Sequence, residues 1–237
     1  MMIRNETFNE EANIAANSSP ASPDKPRMLI MTAVEAEQNA VLRGLRGSDR
    51  FDVRIAGVGP AAAAARTAAA LAGSRYDLVI SAGIAGGFPG IAEIGSIVVA
   101  DAIVAADLGA ETPEGFTSVD KLGFGFSQIE TDHLRLSRLA GALEAAGMSV
   151  HTGPVLTLST VTGTSETAER LAALVPGAAA EAMEGFGVAS AALLFGLPVL
   201  EIRTISNAIG PRDRSAWRIK EALEALEAAS AVLTEVL

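Results

Sequence analysis

Apolar and polar positions change their spacing several times along the chain, and each change marks an element. Residues 1–27 are polar and show no apolar period. Ser18-Ser19-Pro20-Ala21-Ser22-Pro23 reads as linker, so this stretch is expected to be a disordered extension. From Arg27 the pattern changes sharply. Residues 28–32 form a short apolar run, expected as a buried strand, and helical spacing follows to about Leu45. Residues 51–56 alternate as a strand, and an Ala-rich helix is predicted over about 61–72. The apolar run 77–82 reads as another buried strand ending in a glycine loop, and 95–105 as a long β-branched strand. Residues 107–128 are Gly-rich and irregular. Beyond them the pattern predicts a helix over about 131–146, a strand over 150–158 and a helix over 165–174. A helix over 185–195, a strand over 198–205 and a closing amphipathic helix over 215–237 complete the chain. Alternating strands and helices with short connections imply a single α/β domain over 28–237 with a largely parallel core. In such folds ligands bind beyond the carboxyl ends of the strands. The segments to inspect therefore follow Thr32, Ala56, Ala82, Leu158 and Ile205.

Composition narrows the chemistry. The 237 residues are 49% apolar, enough for a substantial core. The 23 glycines exceed the usual share of about 7%, as expected where backbone approaches a ligand closely. The formal charge is −10 and no Lys/Arg cluster offsets it, which argues against nucleic-acid binding. The absence of cysteine excludes disulfides, thiol chemistry and thiolate metal sites. The two histidines, His133 and His151, lack metal-ligand spacing, so no metal or other cofactor is expected. No apolar run is long enough for a membrane span and no signal peptide opens the chain, which suggests a cytoplasmic protein.

Two glycine segments follow strands. Gly57-Val58-Gly59-Pro60-Ala61-Ala62 matches a dinucleotide fingerprint, G-x-G-x-x-A. The acid that should hold the ribose at the end of the next strand is missing, since Asp77 stands at that strand's start. Gly83-Ile84-Ala85-Gly86-Gly87 is expected as a loop whose amides could hold an anion, a water or a sugar, or else as a tight turn. It has no Lys or Arg, which disfavours a polyphosphate ligand.

Charged residues at strand ends supply the candidate chemistry. Glu35 and Glu37 follow the first strand and face different ways on a helix, so one could enter a cleft; favourable charge at a helix start is the simpler alternative. Glu184, in Met183-Glu184-Gly185, stands between apolar stretches, where a carboxylate is costly unless paired. A ribose diol would suit it, and helix capping is the alternative. Arg203 lies inside an apolar strand and needs a partner, most simply a carboxylate. Ser206-Asn207 ends that strand at the ligand edge.

Taken in order, Ala33-Val34-Glu35-Ala36-Glu37, Gly57-Val58-Gly59, Ala82-Gly83-Ile84-Ala85-Gly86-Gly87, Met183-Glu184 and Arg203-Thr204-Ile205-Ser206-Asn207 resemble the motifs of the nucleoside phosphorylase / methylthioadenosine–adenosylhomocysteine nucleosidase superfamily, over roughly residues 28–237. Within it, the segments 108–116 and 210–218 are similar to those of the futalosine hydrolases, which release hypoxanthine from futalosine in a menaquinone pathway. The resemblance implies a three-layer α/β/α domain with a central mixed, largely parallel sheet, a small-molecule nucleoside substrate, no cofactor, and a homo-oligomer to which 107–128 could contribute. It implies that Glu37 activates the attacking water and Arg203 orients it. Met183 and Glu184 would hold the ribose, and Ile84, Ala85 and Gly86 would belong to the sugar segment. Val161, Thr162 and Gly163 would contact the purine, and Ser206 with Asn207 would recognise it.

Related adenine-cleaving enzymes carry Asp where Asn207 stands. An amide can donate to the 6-oxo group or N7 of hypoxanthine, so Asn207 favours a 6-oxopurine and leaves the leaving group without a carboxylic proton donor. The absence of basic residues in the first loop and the sugar segment favours hydrolysis over phosphorolysis. The benzoate-bearing tail of futalosine would want an arginine. Arg214, with Arg212 and Arg218 around Trp217, is the candidate, and solvated charge before a helix is the alternative reading. A methylthioadenosine/adenosylhomocysteine nucleosidase, a purine nucleoside phosphorylase, a non-catalytic nucleoside-binding domain and a dinucleotide oxidoreductase are the competing readings.

Overall fold

The computed structural model describes residues 25–237. The expected disorder of residues 1–24 falls outside the described residues. Residues 25–27 have no regular structure, and the fold starts where the apolar pattern does. Its elements are β1 (Met28–Thr32), α1 (Glu35–Leu45), β2 (Phe51–Ile55), α2 (Pro60–Gly73), β3 (Leu78–Gly87), β4 (Ile97–Ala105), β5 (Gly109–Thr112), β6 (Gly115–Ser118), α3 (Val119–Leu122), β7 (Gln128–Glu130), α4 (His133–Ala145), β8 (Val150–Thr157), α5 (Ser165–Leu174), β9 (Ala180–Ala182), α6 (Gly185–Leu194), β10 (Val199–Ala208) and α7 (Ile219–Val236).

The main sheet has eight strands in the order β10-β4-β8-β9-β3-β1-β2, with β7 on β4. The additional β10–β3 pairing closes five of them into a ring, β3-β10-β4-β8-β9, from which β1 and β2 extend as an open wing. The β1–β2, β1–β3, β3–β10, β4–β8 and β8–β9 pairs are parallel; β4–β10, β3–β9 and β4–β7 are antiparallel. The mixed, largely parallel sheet is therefore as expected.

Both faces of the sheet are covered, which is why its strands read as unbroken apolar runs. Successive strand residues point to opposite faces. Leu29 and Met31 of β1 accordingly pack with α2 and α6, beside Val79 of β3, Ala63 and Val188. Met28 and Ile30 pack with α1, α4 and α7, beside Leu78, Ile80, Val41, Leu139 and Leu233. A third cluster seats α5 (Ala168, Leu171) on Val104, Leu156 and Leu158. Among the described residues no helix is long and apolar enough to cross a membrane.

Two expectations need correction. Residues 83–87 are not a loop: β3 continues through Gly87, paired with β10 from Val79↔Val199 to Gly87↔Ala208 and with β9 at Gly86 and Gly87. Glycine's poor strand propensity is overridden because neighbours press on the backbone from close range. A Cβ on Gly87 would lie 2.1 Å from the Ala92 carbonyl oxygen. Nor is 107–128 irregular throughout. It forms the β5–β6 hairpin and the one-turn α3, too short and too exposed to show an apolar period.

Candidate active site

The carboxyl ends of β1, β3 and β10 converge with the starts of α1 and α6, and charged side chains fill the junction. Glu37 sits in the first turn of α1. Its Oε2 accepts from the amides of Ala33 (2.9 Å) and Val34 (3.2 Å), closing the helix start, and its Oε1 accepts from the amide of Ile84 on β3 (2.9 Å). Only 3% of the residue is exposed. The capping alternative raised for the acids of this turn is therefore part of Glu37's role, because its carboxylate both closes the helix and reaches β3. Glu35, two residues earlier, is exposed.

Arg203 is fully buried on β10. Its Nε donates to Glu201 Oε1 (2.8 Å), its NH2 to Ser81 Oγ (3.1 Å) and its NH1 to the Ile84 carbonyl (3.5 Å); NH1 also lies 3.3 Å from Glu184 Oε2. Strand periodicity explains the first contact, since Glu201 and Arg203 are two apart and share a face. Glu184, at the start of α6, accepts from the amides of Met183 (3.3 Å) and Gly59 (3.4 Å). The Gly59 contact settles what the G-x-G-x-x-A turn does here. Gly57 and Gly59 adopt positive φ, and the turn's amide meets the chain's own carboxylate rather than a phosphate.

Three carboxylates thus surround one guanidinium. Burial pushes Glu37 above its ordinary pKa; Arg203 and the Ile84 and Val34 amides pull it back, while Glu184 adds to the rise. Burial raises Glu201 as well, against Arg203. For Arg203, burial opposes the charge, but Glu201, Glu184 and Glu37 outweigh it and hold the guanidinium protonated. Such a site is poised to share a proton and to welcome added positive charge.

Gly83 makes the cluster possible. A Cβ there would lie 2.6 Å from Glu37 Oε1 and 2.8 Å from Arg203 NH1. We expect Gly83→Ala to keep the fold while turnover drops at least tenfold, because the carboxylate and the guanidinium must part. Unchanged kcat/KM with an unchanged melting curve would contradict this.

At the end of β10 the β3 register shifts between Ile205 and Asn207, so that Asn207 pairs with Gly86. Ser206 Oγ donates to Asn207 Oδ1 (2.8 Å) and lies 3.2 Å from the Ala85 carbonyl; Asn207 Nδ2 donates to the Ala208 carbonyl (3.0 Å). Thr162, in the loop after β8, is anchored by Glu181 of β9: its amide donates to Oε1 (2.7 Å) and its hydroxyl to Oε2. The loop's neighbour Gly163 accepts from the Arg212 amide (3.2 Å), and the Arg218 amide donates to the Ser206 carbonyl (2.8 Å). These bonds tie the 210–218 segment to the site. Arg212 and Arg214 lie 5.1 Å and 6.0 Å from the Trp217 ring centre, on the exposed side of that segment. A cavity of about 420 Å³ borders Val161, Thr162 and Gly163 on the side of Phe116 and Arg170, away from Glu37 and Arg203.

The structure therefore gathers Glu37, Ile84, Met183, Glu184 and Arg203 into one cluster, with Ala85, Gly86, Ser206 and Asn207 on the adjoining strand ends. Val161, Thr162 and Gly163 lie in the loop after β8, which Thr162 ties to Glu181 of β9. Arg214 and Trp217 belong to the 210–218 segment, which the Arg212 and Arg218 amides tie to the site. Two buried carboxylates were missed by sequence reasoning. Glu201 was legible, because it stands two residues from an arginine in the same strand. Glu181 was not, because a three-residue strand offers no period from which to judge a face.

The sequence matches the family model described as the phosphorylase superfamily over residues 38–237. The chain belongs to the phosphorylase superfamily. It is 52% identical over 231 residues to a futalosine hydrolase of Streptomyces coelicolor, covering 89% of this chain and 96% of that protein. It is 49% identical to a futalosine hydrolase of Acidothermus cellulolyticus, covering 87% and 90%. Among solved structures, the futalosine hydrolase of Helicobacter pylori superposes with a TM-score of 0.76 at 19% identity, covering 89% of this chain and 98% of that one. These superfamily structures share the fold established above.

Proposed function

We propose that this chain hydrolyses the N-glycosidic bond of futalosine and releases hypoxanthine. The observation that carries the reading is the buried Glu37–Arg203–Glu184 cluster beside an amide, Asn207, at the end of β10. The two curated relatives near 50% identity support the same activity.

Cleavage builds positive charge on the sugar and negative charge on the departing purine. Glu37, raised by burial and held by three amides, takes a proton from water at the anomeric carbon. Arg203 keeps that carboxylate in place and offers NH1 to the same gap. Glu184 accepts from the ribose hydroxyls, with Met183 against the sugar, and Ile84, Ala85 and Gly86 form the adjacent wall. The surplus of carboxylates over the single guanidinium favours a cationic sugar over a bound phosphate, which supports hydrolysis over phosphorolysis. We assign recognition of the carboxylate of the substrate's tail to Arg214, which lies with Arg212 near the Trp217 ring.

Chromatography of the products from futalosine, inosine and methylthioadenosine, each with and without phosphate, tests this. Hypoxanthine release from futalosine that needs no phosphate, with methylthioadenosine intact, is the expected result. Phosphate dependence or adenine release would refute it, and stoichiometric binding without turnover would leave a binding domain. We further expect Asn207→Asp to shift the ratio of kcat/KM toward 6-aminopurine substrates by about tenfold or more, since a carboxylate accepts from the 6-amino group and opposes a 6-oxo group. An unchanged ratio would remove Asn207 from base choice.

The active form is a homo-oligomer that uses the β5–β6–α3 lobe. Leu108, Phe124 and Phe126 are 41%, 80% and 47% exposed there, an apolar surface suited to burial against a second copy. Sedimentation should give a multiple of 24.2 kDa.

A further inference from the structure

Each nitrogen of the Arg203 guanidinium meets a different partner. Nε donates to Glu201 Oε1 (2.8 Å), NH2 donates to Ser81 Oγ (3.1 Å), and NH1 faces Glu184 Oε2 (3.3 Å) and the Ile84 carbonyl (3.5 Å). A guanidinium beside carboxylates ordinarily pairs with one of them through two nitrogens at once. Here Glu37, Glu184 and Glu201 all act on Arg203, and none is held that way.

The two nitrogens that are tied off are tied from below. Glu201 pairs with Ser81 across β3–β10, two residues before the Arg203–Gly83 pair, so both anchors stand farther from the ligand edge than the arginine does. Glu201 is 0% exposed, and its Oε2 has no hydrogen-bond partner among the described residues. The fold also makes room for it: a Cβ on Gly185, the first residue of α6, would lie 2.3 Å from both of its oxygens. Burying a carboxylate is costly. This one is buried for a single bond, to Arg203, and touches nothing in the gap proposed for the sugar and the water.

What that bond achieves is visible on the other carboxylates. Glu184 Oε1 accepts only a long bond from the Gly59 amide (3.4 Å) among the described residues, and the bonds that hold Glu37 come from the amides of Ala33, Val34 and Ile84. Both acids therefore keep lone pairs toward the gap. With Nε released, the guanidinium could turn and grip Glu184 or Glu37 through two nitrogens, and the oxygens meant for a ribose diol or a water would be taken.

We propose that Glu201, assisted by Ser81, is a positioning residue: it holds the Nε–NH2 edge of Arg203 so that the guanidinium cannot close on Glu184 or Glu37, and both carboxylates stay open to substrate. The inference rests on the nucleosidase reading above. It adds to the reacting groups a residue that touches neither sugar nor water and acts only through Arg203.

Glu201→Gln and Glu201→Leu test it, because glutamine keeps an oxygen for Nε in nearly the same shape and leucine fills much of the volume without one. The glutamine variant should keep kcat on futalosine within about threefold, and the leucine variant should lose about 10- to 100-fold, the scale on which misplaced groups slow an enzyme. Equal losses in the two, or a leucine variant with a lower melting temperature and full turnover, would overturn the proposal. Should Glu201→Leu not fold, Ser81→Ala takes its place: releasing NH2 should cost more turnover than Glu201→Gln does, and any other order would overturn the assignment. Calorimetry with 9-deazainosine, whose carbon–carbon bond to the base resists hydrolysis, and with its 2′,3′-dideoxy form reads the same arrangement without turnover. The unaltered chain and Glu201→Gln should favour the diol by about 10- to 100-fold, the range for hydrogen bonds to a charged group, and Glu201→Leu should lose most of that preference. An undiminished preference in the leucine variant, or none in the unaltered chain, would overturn the role of Glu201. A chain that leaves futalosine intact yet shows the expected pattern of binding would refute the proposed reaction while upholding that role.

Discussion

Replacing Glu37 by glutamine should lower kcat by about 10²–10⁴, the usual contribution of a positioned general base, while the protein still folds. Shape is nearly conserved, but function is not. Glutamine has no oxygen to spare for a proton. Its NH2 would also have to face either the Ile84 amide or the Ala33 and Val34 amides, all of which now donate to the carboxylate. Circular dichroism and a thermal melt separate the chemical loss from a folding loss, and near-normal turnover by a folded variant would remove Glu37 from the reaction. The unaltered protein offers an independent check through pH. Burial raises the Glu37 pKa from 4.5, and the base is active only when ionised. The rate should therefore fall as pH drops through that raised value, so that the acid limb of kcat/KM lies above the ordinary carboxylate range. A limb near 4.5 would mean that the burial of Glu37 does not reach the chemistry.

That acid was visible in the sequence only as one of two candidates. Glu35 and Glu37 are equally charged, and either could have been a helix-start carboxylate. What separates them is that the third residue of α1 points back across the helix start onto β3, and the first does not. The fold was more legible than the site. Long apolar runs separated by helical periods report burial on both faces, and β1, α1, β2, α2 and α5 lie where that pattern puts them. Ring closure was not legible, because it depends on β10 inserting between β3 and β4, a pairing between residues more than a hundred positions apart. The strand character of 83–87 was hidden for a related reason. Three of the five residues are glycines with no side-chain preference of their own, and Glu37, Arg203, Asn207 and Ala92 fix their conformation from outside. The partner of Arg203 was expected to be a carboxylate; the structure supplies two, and a third close by.

Arg203→Met should be the most damaging substitution in the chain for stability. The methionine can fill much of the volume but leaves Glu37, Glu184 and Glu201 buried without their shared cation. Breaking a buried pair from one side typically costs about 3–5 kcal/mol. At this chain length that corresponds to a fall in melting temperature of about 6–20 °C. The sign of the pH effect distinguishes charge from packing. Without Arg203 the carboxylates, two of them already raised by burial, rise further and bind protons in the folded state that they do not bind when unfolded. Folded-state pKa values above the unfolded ones mean that stability is retained at low pH and lost as pH climbs through the raised values. The melting temperature of Arg203→Met should therefore approach that of the unaltered protein near pH 5 and fall behind it toward pH 8. If the deficit were the same at both ends, the arginine would be holding the strand by packing, and the three carboxylates would not be electrostatically coupled through it.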